Sequence, residues 1–293
     1  MPSPEIKFAI PKGRMHDGVI RLLTDAGVRV QATARDYRPS ISLPGFSVKI
    51  LKPRAIIEML DLGSRDLGFA GADWVAEDSR EIVDLLDTRL DRVRLVAAAP
   101  ESILERDALP DRRLRVASEY ANLTRRWIAA RGLNAELVPS YGATEVLPPE
   151  DADCIVDNTA TGATLEANNL RIIDELMTSS TRLYASRRAM EDPSKRERIE
   201  DFAVLVRSVL EARRRVMLEV NVPADRLEAV IEVLPCMREP TIASMHGTTA
   251  DGRPTGFAVK VAALREDLPR VIPLIKARGG TDIIVTKPEQ IVP

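Results

Sequence analysis

The sequence has few of the residues that build disulfide scaffolds or zinc sites. It contains two cysteines, Cys154 and Cys236, and two histidines, His16 and His246. Two cysteines are too few for a disulfide framework, and these four residues are too scattered along the chain to match the ligand spacing of a zinc site. We therefore expect a protein of a reducing, cytoplasmic setting.

The sequence also lacks an excess of charge of one sign and a long apolar run. Lys and Arg number 42 against 44 Asp and Glu, which gives a formal net charge of -2. The chain as a whole thus has no electrostatic reason to bind nucleic acid or an anionic membrane. No run approaches the ~18 apolar residues that cross a bilayer, and the start, MPSPEIKFAIPKGRM, lacks the long apolar region of a secretory signal. We expect no nucleic-acid partner and no membrane partner, so that any bound polyanion is held by a local basic pocket.

The chain has enough apolar material for two or three compact domains. Of its 293 residues, 45% are hydrophobic and 29% are charged, a composition that excludes disorder. In the first half, short strand-like runs alternate with amphipathic segments, as in layered α/β folds. The predicted strands are residues 8–10, 47–51, 67–71, 94–99, 114–118, 135–140 and 153–157, with helices predicted from residue 19 and over residues 122–131.

The last third of the chain has a different order of predicted elements. An amphipathic helix over residues 194–215 is followed by elements in the order βαββαβ, which is the ferredoxin-like arrangement. The predicted elements are strand 216–222, helix 225–234, strands 241–245 and 256–264, helix 268–277 and strand 282–287. We therefore predict a separate C-terminal domain of about 80 residues.

The most informative stretch is residues 153–170, DCIVDNTATGATLEANNL. A predicted strand ends in Asp157, and a loop of small and hydroxyl residues then leads into a helical segment that starts near Leu165. Backbone N–H groups, threonine hydroxyls and a helix N-terminus favour a bound phosphate monoester. The alternative interpretation is an ordinary strand-to-helix turn in which Thr161 caps the helix.

Two further basic segments are candidates for anion binding. Lys12, Gly13 and Arg14 follow the first predicted strand and would suit a pyrophosphate or triphosphate, although a solvated basic turn has the same composition. Residues 120–126, YANLTRR, read better as the exposed face of a helix. The chain contains no Walker loop, no G-x-G-x-x-G fingerprint and no G-x-S-x-G elbow, so it lacks the motifs of those nucleotide-binding and hydrolase classes.

The loop resembles the one with which phosphoribosyltransferases bind the 5-phosphate of phosphoribosyl pyrophosphate. Residues 155–165, IVDNTATGATL, are similar to the version found in the ATP phosphoribosyltransferase family, which acts first in histidine biosynthesis. Other segments match that family in order. They are residues 9–14 (AIPKGR), 66–73 (DLGFAGAD), 115–127 (RVASEYANLTRRW) and 142–145 (GATE), and, from the long form, 221–223 (NVP), 234–241 (LPCMREPT) and 287–293 (KPEQIVP).

The resemblance implies a three-part organisation. Residues 1–95, with a return segment 181–212, and residues 96–180 would form a two-domain catalytic part that resembles type II periplasmic binding proteins. Residues 213–293 would form a ferredoxin-like regulatory domain that binds histidine, in a homo-oligomer that exchanges between dimers and hexamers.

The resemblance also implies a reaction and its residues. The 5-phosphoribosyl group would pass from phosphoribosyl pyrophosphate to N1 of ATP with the help of Mg²⁺, and histidine would inhibit. Phosphoribosyl pyrophosphate would be held by Asp157, Thr159, Thr161, Gly162, Ala163 and Thr164, and the cleft for ATP and pyrophosphate would be lined by Lys12, Gly13, Arg14, Arg35, Gly71, Asp73, Arg94, Tyr120 and Glu145. Histidine would bind near Asn221, Met237 and Thr241.

This chain departs from the family pattern at several positions. Lys52 and Ala55 stand where the family has an arginine and an acidic residue, and residues 158–160, NTA, replace Leu-Val-Ser. These departures favour an alternative, a divergent relative with a changed acceptor or a purely regulatory role. A small-molecule binding protein is a second alternative, consistent with the α/β pattern.

Overall fold

The computed structural model describes residues 4–31 and 37–292. Arg35, predicted to line the cleft, lies outside the described residues. The chain divides into two compact units, Met1–Ala203 and Val204–Pro293, and each is described by itself. The predicted boundaries near residues 95 and 180, within the first unit, stay predictions.

The first unit contains most of the regular structure. Its strands are β1 (Ile6–Pro11), β2 (Val30–Gln31), β3 (Ser40–Ile41), β4 (Phe46–Leu51), β5 (Leu67–Gly71), β6 (Val83–Pro100), β7 (Leu114–Ser118), β8 (Ala135–Pro139), β9 (Cys154–Thr159) and β10 (Leu170–Ala185). Its helices are α1 (His16–Asp25), α2 (Pro53–Asp61), α3 (Ala72–Asp78), α4 (Ala121–Ala130), α5 (Ala163–Ala167) and α6 (Arg187–Glu191), followed by α7 (Pro193–Arg214), within which the division between the units falls.

Eight of these strands form one sheet in the order β4-β1-β5-β10-β6-β9-β7-β8. The group β4-β1-β5 is parallel, and so is the group β9-β7-β8. Between the groups lie the long strands β6 and β10, which are antiparallel to each other and to their outer neighbours. The two parallel groups therefore run in opposite directions: Gly71, at the carboxyl end of β5, pairs with Thr181, and Thr159, at the carboxyl end of β9, pairs with Arg94. Their carboxyl ends face each other near the middle of the long strands, so the turns after β1 and β9 are suited to carry functional side chains.

The sheet is buried on both faces, which explains its continuous apolar runs. Along β6, Leu95, Ala97 and Ala99 belong to one core cluster, whereas Val96 and Ala98 belong to another on the opposite face. Elsewhere in the unit, the ring of Phe8 meets those of Phe69 and Phe202 edge-on, with centroid distances of 5.9 Å and 5.2 Å.

The second unit has the predicted βαββαβ order. Its elements are β11 (Arg215–Pro223), α8 (Leu227–Ile231), β12 (Thr241–Ser244), β13 (Gly256–Leu264), α9 (Leu268–Ala277) and β14 (Thr281–Thr286). The strands form an antiparallel sheet in the order β12-β13-β11-β14, over a core that includes Leu218, Val220, Val261 and Ile275. The predicted α/β class with a C-terminal ferredoxin-like domain is confirmed.

Some elements differ from the sequence prediction. Strand β6 begins at Val83 rather than near residue 94, and strand β10 was not predicted at all. Both strands contain several charged side chains, and β10 pairs with β6 through several bulges. The regular alternation of apolar and polar residues that marks a strand is therefore broken. Helix α8 is shorter than predicted, because residues Ala224–Arg226 form a 3₁₀ turn before it.

Within residues 4–31 and 37–292, no helix has both the length and the apolar character needed to cross a membrane.

Candidate active site

The threonine-rich loop forms a tight turn between β9 and α5. Strand β9 continues to Thr159, and Gly162 adopts a φ of 91°, a left-handed conformation that side chains rarely adopt. The hydroxyl of Thr159 accepts a hydrogen bond from the N–H of Gly162 at 3.0 Å, and that of Thr161 accepts one from Ala163 at 3.3 Å. Thr159 is buried, whereas Thr161 and Thr164 are exposed. The loop is therefore held from inside and presents two threonines outward.

Helix α5 begins at Ala163, two residues earlier than predicted, and is only five residues long. A helix of this length has only a small dipole, which contributes little to anion binding. The donors that remain for an anion are therefore the hydroxyls of Thr161 and Thr164 and the N–H groups of Thr164 and Leu165, because the first N–H groups of a helix have no carbonyl partner inside it.

Residues from several segments line one cavity beside this loop. The cavity has a volume of about 240 Å³ and is bounded by Asp157, Thr159, Thr161 and Thr164 of the loop region. Arg14 reaches it from the turn after β1, and Glu145 from the 3₁₀ turn Thr144–Val146. The structure thus brings together residues that lie more than a hundred positions apart in sequence. The cavity combines a cation, hydroxyl donors and carboxylates, which suits a small polar ligand that carries phosphate.

The electrostatics of this cavity centre on Asp157. Burial raises the pKa of Asp157 to about 6; the N–H of Asn158, which donates to its carboxylate at 2.7 Å, opposes this rise, and the charges of Glu145 and Glu119 add to it. A carboxylate held in this way is stabilised by a nearby cation or by a hydroxyl group that donates to it.

A second cavity, of about 350 Å³, lies on the other side of Ala160 and Val93, which line both cavities. Its lining includes Arg92, Arg94 and Arg182 together with hydroxyl side chains of β10. Arg94 also pairs with Glu175 at 3.3 Å. The predicted cleft residue Arg94 is therefore next to the loop, in a cavity lined by three arginines and by Asp87, which pairs with Arg182.

Lys12 and Gly13 are not among the residues that line the loop cavity. Both are exposed in the turn after β1, and the ammonium group of Lys12 lies 5.4 Å from the ring centroid of Tyr37. Of this predicted basic turn, Arg14 alone reaches the cavity.

Asp73 and Tyr120 were predicted to line the cleft, but the structure buries both, at 2% and 1% exposure. The hydroxyl of Tyr120 donates to Asp73 Oδ2 at 2.6 Å and accepts from Asn158 Nδ2 at 2.9 Å. Ser179 of β10 donates to Asp73 Oδ1 at 2.8 Å and accepts from the N–H of Asp73 at 3.0 Å. Burial, and then the charge of Asp73, raise the pKa of Tyr120. This buried network therefore supports the loop from behind through Asn158.

Gly71, also predicted for the cleft, is required by the same network. It precedes α3, where a side-chain carbon would clash with the carboxylate of Asp73 and come within 3.0 Å of Met15. The glycine thus allows the carboxylate of Asp73 to fold back over the backbone.

Glu77 is a residue of this region that the sequence reasoning missed. It is 1% exposed, and its carboxylate accepts from the N–H groups of Asn122 and Leu123 at 2.8 Å and 2.9 Å. Asn122 and Leu123 are the second and third residues of α4, whose N–H groups have no carbonyl partner within the helix. The cap comes from another helix, so no local sequence signal reveals it. Arg125 and Arg126, on the outer face of α4, are exposed as predicted.

In the second unit, the predicted effector residues lie on segments that flank β13. Asn221 pairs with Ala258 on one side of that strand, and Thr241 pairs with Lys260 on the other. The N–H of Met237 donates to the carbonyl of Ala262 at 3.2 Å. Asn221 also donates to Asp282 Oδ2 at 3.1 Å.

No group of three or more His, Cys, Asp or Glu side chains in the described ranges is arranged to hold a metal ion. Asp157 and Glu145 nevertheless share one cavity, and their charges interact. Oxygen ligands of this kind fit Mg²⁺, which proteins commonly bind through one or two carboxylates and the phosphates of a substrate.

Comparison with known proteins gives consistent matches. A family model described as ATP phosphoribosyltransferase matches residues 52–208, and one described as HisG, C-terminal domain, matches residues 212–289. The ATP phosphoribosyltransferase of Desulforudis audaxviator is 33% identical over 294 residues, covering 99% of this chain and 100% of the relative. That of Chlorobium chlorochromatii is 35% identical over 283 residues, covering 95% of this chain and 94% of the relative. Among solved structures, the ATP phosphoribosyl transferase (HisG:HisZ) complex from Thermotoga maritima is 28% identical, covers 70% of this chain and 98% of that one, and has a TM-score of 0.62.

Proposed function

The chain belongs to the ATP phosphoribosyltransferase family of glycosyltransferases, and on that premise we propose that it joins C1 of phosphoribosyl pyrophosphate to N1 of ATP. Pyrophosphate is released, and the product is phosphoribosyl-ATP, made in the first step of histidine biosynthesis. The observation that carries the proposal is the single cavity in which Arg14, Glu145 and the threonine loop meet.

The loop holds the sugar phosphate in this proposal. Thr161 and Thr164 are exposed at the cavity and supply hydroxyl donors to the 5-phosphate, together with N–H groups at the start of α5. Gly162 and Ala163 keep side chains away from the phosphate, and the buried Thr159 holds the turn. Asp157 accepts hydrogen bonds from the ribose hydroxyls, which favours its charged form against its burial.

Reaction then requires orientation and neutralisation of charge rather than a strong base. Adenine N1 already carries a lone pair, so the transition state gathers positive charge on the sugar and negative charge on the departing pyrophosphate. Arg14 lines the loop cavity and Arg94 lines the second cavity, and both oppose that negative charge. The exposed Lys12 lies two residues before Arg14 in the sequence. Mg²⁺ bound to substrate oxygens and to Glu145 or Asp157 would neutralise the pyrophosphate further.

Regulation by histidine is the second part of the proposal. We place the effector in the ferredoxin-like unit near Asn221, Met237 and Thr241, and expect it to favour a less active hexamer over an active dimer. Such inhibition requires histidine to bind the two assemblies with different affinity.

An activity assay tests the reaction. Purified protein is incubated with Mg²⁺, ATP and phosphoribosyl pyrophosphate, while pyrophosphate is measured and the nucleotide product is identified by mass spectrometry. We expect both products with ATP, and a lower rate when histidine is added. Turnover with another base but not with ATP would instead support a changed acceptor, as the departures at Lys52 and Ala55 suggest. Ligand binding without turnover would contradict the enzymatic proposal.

A paired variant tests the role of the loop. Thr161→Val with Thr164→Val keeps side-chain shape and removes two exposed hydroxyls, so we expect at least a tenfold rise in KM for phosphoribosyl pyrophosphate and an unchanged melting temperature. Thr286→Val, an exposed threonine of β14, is the matched control. An unchanged KM in the double variant would contradict the assignment.

A further inference from the structure

A cavity away from the proposed active site is lined by cations. It has a volume of about 540 Å³, and Lys7, Lys49, Arg65 and Arg38 all line it. Glu5 is the acidic side chain among the lining residues that the structure describes, so the cavity carries an excess of positive charge. None of these residues lines the loop cavity.

The register of the sheet explains how the lysines come together. Strands β1 and β4 are parallel, with Lys7 paired to Ser47 and Ala9 paired to Lys49. Side chains two residues apart on a strand share a face, so Lys7, Ser47 and Lys49 all project from the same side of the sheet. Arg65 joins them from the loop before β5, and Ile41 of β3 also lines the cavity.

Lys7, Lys49 and Arg65 lack the counter-charge that surface cations usually have. Among the described residues, no carboxylate lies within ion-pair distance of Lys7, Lys49 or Arg65. The neighbouring carboxylate of Asp66 is already engaged, because it accepts from Lys195 Nζ and from the backbone N–H of Lys7, both at 2.7 Å. Cations held together without a partner repel one another.

The repulsion is visible at Lys49. The charges of Arg65 and Arg38, then burial and the charge of Lys7, lower the pKa of Lys49. Lys49 and Arg65 are half-buried, so water compensates them less than it would at an open surface. An anion in the cavity would turn this repulsion into attraction.

We propose that this cavity is a second anion site, which binds a phosphate dianion through Lys7, Lys49 and Arg65. Its volume exceeds the 240 Å³ of the loop cavity, which leaves room for a carbon skeleton beside the phosphate. The occupant is therefore a small phosphate monoester or phosphate itself. The site lies at the amino-terminal half of β1, whereas Arg14 follows the carboxyl end of that strand.

Calorimetric titration with two probes, inorganic phosphate and ribose 5-phosphate, tests the site. The titrations use the Thr161→Val, Thr164→Val protein, in which the loop is weakened, with and without Lys49→Gln. We expect Lys49→Gln to weaken phosphate binding about tenfold, as the loss of a charge-assisted hydrogen bond implies. Tighter binding of ribose 5-phosphate would assign the ligand as an ester, and equal binding would assign free phosphate. Lys276→Gln removes a lysine from the exposed face of α9 and is the control.

Thermal unfolding provides a second, independent readout. Without phosphate, Lys49→Gln should melt at the same temperature as its parent or higher, because it relieves repulsion, whereas added phosphate should stabilise the parent more than Lys49→Gln. Equal phosphate affinity and equal stabilisation in the two proteins would overturn the proposal. That result would leave the loop assignment untouched, because the loop variant is common to both arms.

Discussion

Tyr120→Phe removes one buried hydroxyl at the centre of the network behind the loop. In the native protein this hydroxyl donates to Asp73 Oδ2 at 2.6 Å and accepts from Asn158 Nδ2 at 2.9 Å. Asp73 is 2% exposed, so water cannot easily replace the lost donor. A hydrogen bond to a charged group contributes about 1.5–3 kcal/mol, and a buried acceptor left without a partner adds to the loss. We expect Tyr120→Phe to reduce the free energy of unfolding by about 2 kcal/mol.

Tryptophan fluorescence during urea unfolding measures this loss in the right part of the chain. The only two tryptophans, Trp74 and Trp127, both belong to the first unit, and the ring of Trp74 stacks on that of Tyr120 with centroids 4.6 Å apart. The fluorescence therefore reports on the unit that carries the substitution.

Tyr184→Phe is the matched control. Tyr184 is also buried, at 2% exposure, but its hydroxyl makes no hydrogen bond with the residues that the structure describes. We expect this control to change stability by less than about 0.5 kcal/mol. A similarly small effect of Tyr120→Phe would refute the account of a supporting network.

Three other substitutions test separate parts of the account. Burial raises the pKa of Asp157 to about 6, above the ~3.9 of an unfolded aspartate, so its charge destabilises the fold above about pH 6 and ceases to do so below about pH 4. Asp157→Asn should therefore melt at a higher temperature than wild type at about pH 8, and this difference in melting temperature should shrink as the pH falls. A difference that does not change with pH would contradict this. Gly71→Ala should displace the carboxylate of Asp73, with which the added carbon would clash, and lower the melting temperature by several degrees; an unchanged melting temperature would contradict this. Glu77→Ala should lower the stability of the first unit by about 1–2 kcal/mol, measured by the same fluorescence, and an unchanged midpoint would exclude it as the cap of α4.

The sequence was most informative where local chemistry sets the structure. The family resemblance assigned the threonine loop, Arg14 and Glu145 to one cleft, and in the structure all three line one cavity. Each follows a strand of a parallel group, and the carboxyl ends of the two groups face each other at the middle of β6 and β10. The ferredoxin-like unit could also be predicted from the sequence, because each strand and helix is short and has its own regular apolar pattern.

Features that depend on contacts between residues far apart in the sequence could not be predicted. Asp73 and Tyr120 are buried where they contact each other across 47 positions of sequence, and Glu77 caps a helix 45 positions away. The long strands β6 and β10 contain several charged residues and pair with each other through bulges, so neither has the regular alternation that would predict a strand. The cation cavity likewise exists only once β1 and β4 are placed side by side.

The location of the sugar phosphate tests the central claim most directly. A crystal structure with phosphoribosyl pyrophosphate bound would show which groups contact the 5-phosphate. We predict that this phosphate lies within hydrogen-bond distance of the hydroxyls of Thr161 and Thr164, with Asp157 facing the ribose. A complex in which the loop from Asp157 to Thr164 stays empty while the ligand occupies another part of the protein would contradict the account.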